Sequence, residues 1–107
     1  MKYIKKYESI NNEPQIGDYV ICKEEEETPG FTDIINWTSV NIGKCVRIDQ
    51  HKYPYLIQYE NIPNNIKNNF LHRNVPNCRM MRKYEIIHWS PNKEDLEIYT
   101  NAIKYNL

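Results

Sequence analysis

The sequence predicts a mainly β fold, a small five-stranded barrel closed by one C-terminal α-helix. Two patterns carry that prediction. Short runs of β-branched and aromatic residues alternate with polar ones at period 2, each bounded by Gly, Pro, Asn or Asp. A single strong helix start, Ser90-Pro91, stands near the end of the chain. With 107 residues and 40% hydrophobic content, the chain can fill one modest core. Residues 1–107 therefore read as one domain, with the barrel over about 16–89 and the helix over about 91–104.

The first strand is expected at about 18–23, where Gly17-Asp18 turns into Tyr19-Val20-Ile21-Cys22-Lys23 and alternation puts Val20 and Cys22 on one face. Four adjacent carboxylates, Glu24 to Glu27, end it and read as a solvated loop. Thr28-Pro29-Gly30 signals a turn, and residues 28–39 form either one helical turn or an irregular loop carrying Phe31, Ile34, Ile35 and Trp37. The second strand spans about 40–48 around Gly43. The third, at about 54–60, has the clearest alternation, with Tyr55, Ile57 and Tyr59 on one face.

Residues 61–77, rich in Asn with two prolines, make a long connection that Ile66, Phe70 and Leu71 anchor. A fourth strand at about 78–82 and a tight turn at Lys83-Tyr84-Glu85 lead to the last strand at 86–89; which of Met80 and Met81 faces inward is left open. Ser90 can cap the helix, Pro91 fits its first position, and Glu94 and Asp95 suit the positive end of the dipole. Leu96, Tyr99 and Ile103 then give a narrow apolar stripe that rests on the barrel.

Gly17-Asp18-Tyr19-Val20, Gly43-Lys44-Cys45-Val46-Arg47-Ile48, Pro54-Tyr55-Leu56-Ile57-Gln58-Tyr59-Glu60 and Glu85-Ile86-Ile87-His88-Trp89 resemble, in pattern, the strands of SH3-like barrels, including the Tudor, KOW and Mind bomb/HERC2 types. The resemblance implies a binding module. It departs from Tudor-type readers in that the aromatics fall into no assignable cage, and from KOW-type modules in that the long first loop is acidic, which repels phosphate.

Fourteen basic and fourteen acidic side chains cancel, so total charge pulls the protein toward neither nucleic acid nor membrane, and any electrostatic function is local. Three widely spaced cysteines, Cys22, Cys45 and Cys78, suit a reducing compartment better than a disulfide framework. Without an apolar run after the basic N-terminus or a membrane-length segment, the expected location is cytoplasmic. The abundance of Ile, Asn, Lys and Tyr points to an AT-rich genome, cellular or viral, in which case the cytoplasm is the host's.

Two surfaces compete for function. Phe31, Trp37, Tyr53 and Trp89, with Tyr55, can edge a groove beside residues 28–39 and dock a protein segment, since aromatics offer large contact area with few rotamers to freeze; the plainer reading makes most of them core. Lys67, Arg73, Arg79, Arg82 and Lys83, near His72, Phe70 and Tyr84, lie in an acid-free stretch that can track a phosphate backbone; the plainer reading has them balance Glu24 to Glu27. A third option is a structural subunit with residues 1–7 or 101–107 as adhesive arms. No C-x-x-C or H-x-x-x-H pair joins the cysteines to His51, His72 and His88, so no metal, cofactor or catalytic set is expected. The leading expectation is a non-enzymatic protein-binding adaptor or inhibitor, an accessory factor of a virus or mobile element.

Overall fold

The computed structural model describes residues 13–25, 30–50, 52–72 and 75–105. Its elements are β1 (Tyr19–Cys22), α1 (Thr32–Ser39), β2 (Gly43–Ile48), β3 (Tyr55–Gln58), β4 (Leu71–His72), β5 (Val75–Pro76), β6 (Cys78–Met81), β7 (Ile86–Ser90) and α2 (Glu94–Tyr105). Five strands form one antiparallel sheet in the order β6-β3-β2-β1-β7, while β4 and β5 pair as a separate short hairpin inside the long connection. All five expected strands are present within three residues of their expected limits.

The expected barrel closure is not. β6 and β7 are the two edges of an open sheet, and they do not pair. Residues 82–85 join them, and Lys83–Glu85 winds into a 3₁₀ turn rather than a hairpin that would pair the two strands. The Glu85 side chain is buried, its carboxylate accepting from the backbone N–H groups of Arg82 (2.8 Å) and Glu25 (3.2 Å). The Glu85 carbonyl also takes the Lys23 N–H at 2.7 Å. Glu85 thus ties the end of β6 to the chain leaving β1 through both its side chain and its backbone carbonyl.

One face of the sheet holds the main core. Val20, Cys22, Cys45, Tyr55, Ile57, Tyr59, Met81 and Ile86 point into it, and Ile34 of α1 with Ile62, Ile66 and Phe70 of the long connection cover it. The expected faces of β1 and β3 are both found there. Met81, not Met80, is the buried methionine of β6. Gly43 is required by this packing, because a Cβ on it would stand 2.5 Å from Ile57 Cγ2 and 2.8 Å from the Tyr59 ring. Gly17 serves differently: its φ of +97° makes the turn that delivers β1.

Residues 32–39 form two helical turns, more than the single turn or loop expected. Ile34 and Thr38, four apart, are its buried residues, and the half-buried Trp37 packs against the core beside them. On the far side of the sheet α2 lies against β7 and β1, where Ile21 and Leu96 are buried apart from the main cluster. The helix begins at Glu94, three residues after the expected Pro91, and Ser90 ends β7; the Ser90 Oγ still ties the approach to the helix, accepting the Asn92 N–H and donating to Asp95 Oδ2 at 2.5 Å. The apolar stripe needs correction. Thr100, not Tyr99, follows Leu96 into the interface, and Tyr99 is exposed, stacked on His88 with ring centroids 3.9 Å apart. The Ile103 side chain lies outside the described residues. Leu71, expected to anchor the long connection, is also exposed, because β4 turns it outward.

Candidate functional site

β6 presents an edge, and the register shows which of its groups face outward. Tyr55 opposes Met81, Leu56 opposes Met80 and Ile57 opposes Arg79. Tyr59 N–H donates to the Asn77 carbonyl, which fixes the odd-numbered residues of β6 as the ones bonded to β3. The backbone groups of Cys78, Met80 and Arg82 therefore turn away from the sheet. Cys78 N–H is taken by the Phe70 carbonyl at 3.2 Å and Arg82 N–H by the Glu85 carboxylate. Between these two closed positions, the N–H and C=O of Met80 face a cleft of ≈ 320 Å³, whose lining includes Glu24, Glu25, Tyr53, Leu71, Met80 and Arg82.

Two arginines line this cleft in opposite electrostatic states. Arg79 is fully engaged. Its guanidinium meets the buried Glu24 carboxylate through two nitrogens, Nε at 2.8 Å and Nη2 at 2.6 Å, and donates to the Asn69 carbonyl at 3.0 Å. It also lies over the Phe70 ring, 5.6 Å from the centroid. Arg82 instead meets aromatic rings. Its guanidinium lies 4.5 Å from the Tyr53 centroid and 5.7 Å from that of Tyr84, and it donates to both phenol oxygens. Those hydrogen bonds, Tyr84 first and Tyr53 second, hold its pKa above the ordinary value. Among the described residues no carboxylate pairs with the Arg82 guanidinium. Lys83 next to it is exposed and reaches Glu13 only at 4.0 Å.

The two expected surfaces are thus rearranged. Of the aromatic set, Tyr53 alone reaches the cleft. Trp37, expected as an exposed contact, packs edge-to-face on Tyr59 (5.4 Å) and Phe70 (5.6 Å), and Phe31 and Trp89 are likewise half-buried against the core. Trp37 is pulled in because helix α1, unlike the irregular loop alternative, has one face to cover. Of the basic set, Arg79 and Arg82 meet in the cleft, Lys67 sits exposed on the 3₁₀ turn Lys67–Asn69, and Arg73 lies outside the described residues. Glu24 is not solvated loop but a buried partner of Arg79; Glu26 and Glu27 lie outside the described residues. Sequence reasoning passed over the outward backbone of Met80 and the buried carboxylate of Glu85, whereas the plainer reading of the basic stretch, that its charges balance Glu24 to Glu27, is met by the Glu24–Arg79 pair. The clue to the pair was the acid-free stretch itself, which needed an acidic counterpart elsewhere on the chain.

The thiols are structural. Burial pushes Cys22 up to about 12 and Cys45 up to about 11, and it raises Cys78 as well, so none is a thiolate at neutral pH. The Tyr59 hydroxyl is buried without a sound hydrogen bond, the Cys22 thiol beside it being a weak partner. Among the described residues no group of three His, Cys, Asp or Glu side chains is placed to hold a metal ion, and no helix is long and apolar enough to cross a membrane. No model of a known protein family matches the chain, and no curated protein or solved structure is significantly similar to it.

Proposed function

We propose that the chain is a non-enzymatic binding module, an adaptor or inhibitor, that takes an extended segment of a partner protein along the edge of β6. The observation that carries this is the open rung at Met80. A backbone N–H and C=O on one side of an edge strand can exchange both hydrogen bonds with one residue of an added strand, which is how extended peptides are commonly held. The closed positions on either side, at Cys78 and Arg82, fix the register and limit the addition to a short segment. The strand order, with β7 beside β1 and β6 beside β3, supports reading the sheet as an opened SH3-like module. Nucleic acid is less suited to the same cleft, since Glu24, Glu25 and Glu85 all line it.

Met80→Pro tests the reading. Proline removes the outward N–H and leaves the ladder to β3 intact, a position where an edge strand tolerates it. Linear peptides selected by the native chain from a random library should lose binding to Met80→Pro while the thermal midpoint stays close to native. Selected peptides that bind Met80→Pro undiminished sink the edge-strand reading.

A further inference from the structure

We infer that the Tyr53–Arg82–Tyr84 clamp reads an acidic side chain on the bound segment, so that the partner of this chain is an extended peptide with an Asp or Glu at one fixed position. This rests on the reading of the β6 edge given above. Arg82 continues β6 in extended conformation (φ −84°, ψ 158°), two residues beyond Met80. Strand alternation then puts the Arg82 and Met80 side chains on the same side, where both line one cleft. A segment residue paired with Met80 has its second neighbour opposite Arg82, and directly opposed side chains meet across adjacent strands.

The chemistry at that point asks for a carboxylate. A guanidinium has five N–H donors and no acceptor, and here the two phenol oxygens satisfy only part of that set. The phenols hold the planar head between them, so little rotamer freedom remains to be lost when a ligand arrives. Of the other charges that line the cleft, those of Glu24, Arg79 and Glu85 are already engaged, and the Glu25 carboxylate is the exception among the described residues. Glu24 is spent on Arg79, and Glu85 accepts two backbone N–H groups. A segment bringing one carboxylate meets a cation with no acidic partner among the described residues. A polyphosphate must instead bring many charges past Glu24 and Glu25.

The test selects peptides from a random linear library on the native chain, then measures one enriched peptide and its acid-to-amide counterpart by fluorescence polarisation at low and high salt. The expected result is Asp or Glu enriched at a single position, and a loss of about tenfold or more when that acid becomes its amide. Arg82→Gln should bind the acid and amide peptides equally. Arg82→Lys, which keeps the charge without the planar fork, should recover only part of the difference. Arg82 is only partly buried and lies outside the core, so both variants should keep the native thermal midpoint within about 2 °C. Met80-dependent peptides without acid enrichment, or an acid-to-amide loss that persists in Arg82→Gln, overturn the clamp and leave the edge-strand reading standing. Loss of Met80 dependence, or no enrichment at all, overturns both. Retention on single-stranded RNA at low salt that vanishes in Arg82→Gln overturns the peptide in favour of phosphate.

Discussion

Two triplets, one of three rings and one of two rings about a guanidinium, stand at opposite ends of the same strand pair and do opposite things. Trp37, Tyr59 and Phe70 meet edge-to-face, with centroids 5.4 to 5.7 Å apart, and seal one side of the core. Tyr53 and Tyr84 never pack into that cluster; what sits between them is the Arg82 guanidinium. Each buried ring of the first triplet finds another ring's edge, and its contribution is burial plus quadrupole geometry. In the second, the rings face a cation that keeps contact with water, and the product is a positioned charge. Residue type alone does not separate a core aromatic from a functional one. The neighbour does, and the neighbour is set by sheet register.

The sharpest way to break that contrast is to truncate one ring from each triplet. Phe70 is buried and touches both partner rings and Arg79, so Phe70→Ala should cost about 3–5 kcal/mol. Tyr53→Ala, on the cleft, should cost less than about 1 kcal/mol. Urea titration of both variants measures the difference, and comparable losses would mean that the cleft triplet is part of the core. A smaller effect probes the same ring cluster from below. In Gly43→Ala the new methyl must displace the Tyr59 ring and Ile57 Cγ2, two groups inside the core, at a cost of about 1–3 kcal/mol. A native-like urea midpoint for Gly43→Ala would show that the Tyr59 end of the triplet is looser than its packing indicates.

How much of this was legible beforehand depends on distance along the chain. Strand positions were, because alternation in Tyr55-Leu56-Ile57-Gln58-Tyr59 and the Gly17 turn are local signals. The presence of α2 after Ser90-Pro91 was, for the same reason, although it starts at Glu94 rather than Pro91. The open sheet was not: alternation marks β6 and β7 as strands but does not say which strand each one pairs with. The cleft was half legible. Tyr53 and Arg82 were both singled out, but on separate surfaces, because nothing local says that residues 29 apart touch. The antiparallel register of β3 and β6, with Tyr55 opposite Met81, is what brings them together. For Glu24 and Arg79, 55 apart, the need for charge balance was legible in the acid-free stretch, but which acid meets which base was hidden by the same gap.

The smallest effect separates the triplets by pH. The closed one encloses titratable groups. Burial pushes the Cys22 thiol from its ordinary 9.0 up to about 12, and Tyr59 beside it well above its ordinary 10.0. Burial also raises Tyr55 to about 12, with the Glu13 carboxylate adding to the shift. For an acid whose folded pKa is raised, the folded state holds the proton more tightly than the unfolded chain does. The associated stability is complete below pH 9, falls as the unfolded thiol ionises, and is gone once pH passes about 12. Cys22 alone should then account for about 1 kcal/mol of lost stability by pH 10. Urea midpoints followed from pH 8 to pH 10.5 should fall in the native chain, and more gently in Cys22→Ala, whose packing loss is the same at every pH. Parallel curves would place the alkaline loss elsewhere than in the Cys22–Tyr59 corner of the core, and the closed triplet would then be no more pH-sensitive than the open one.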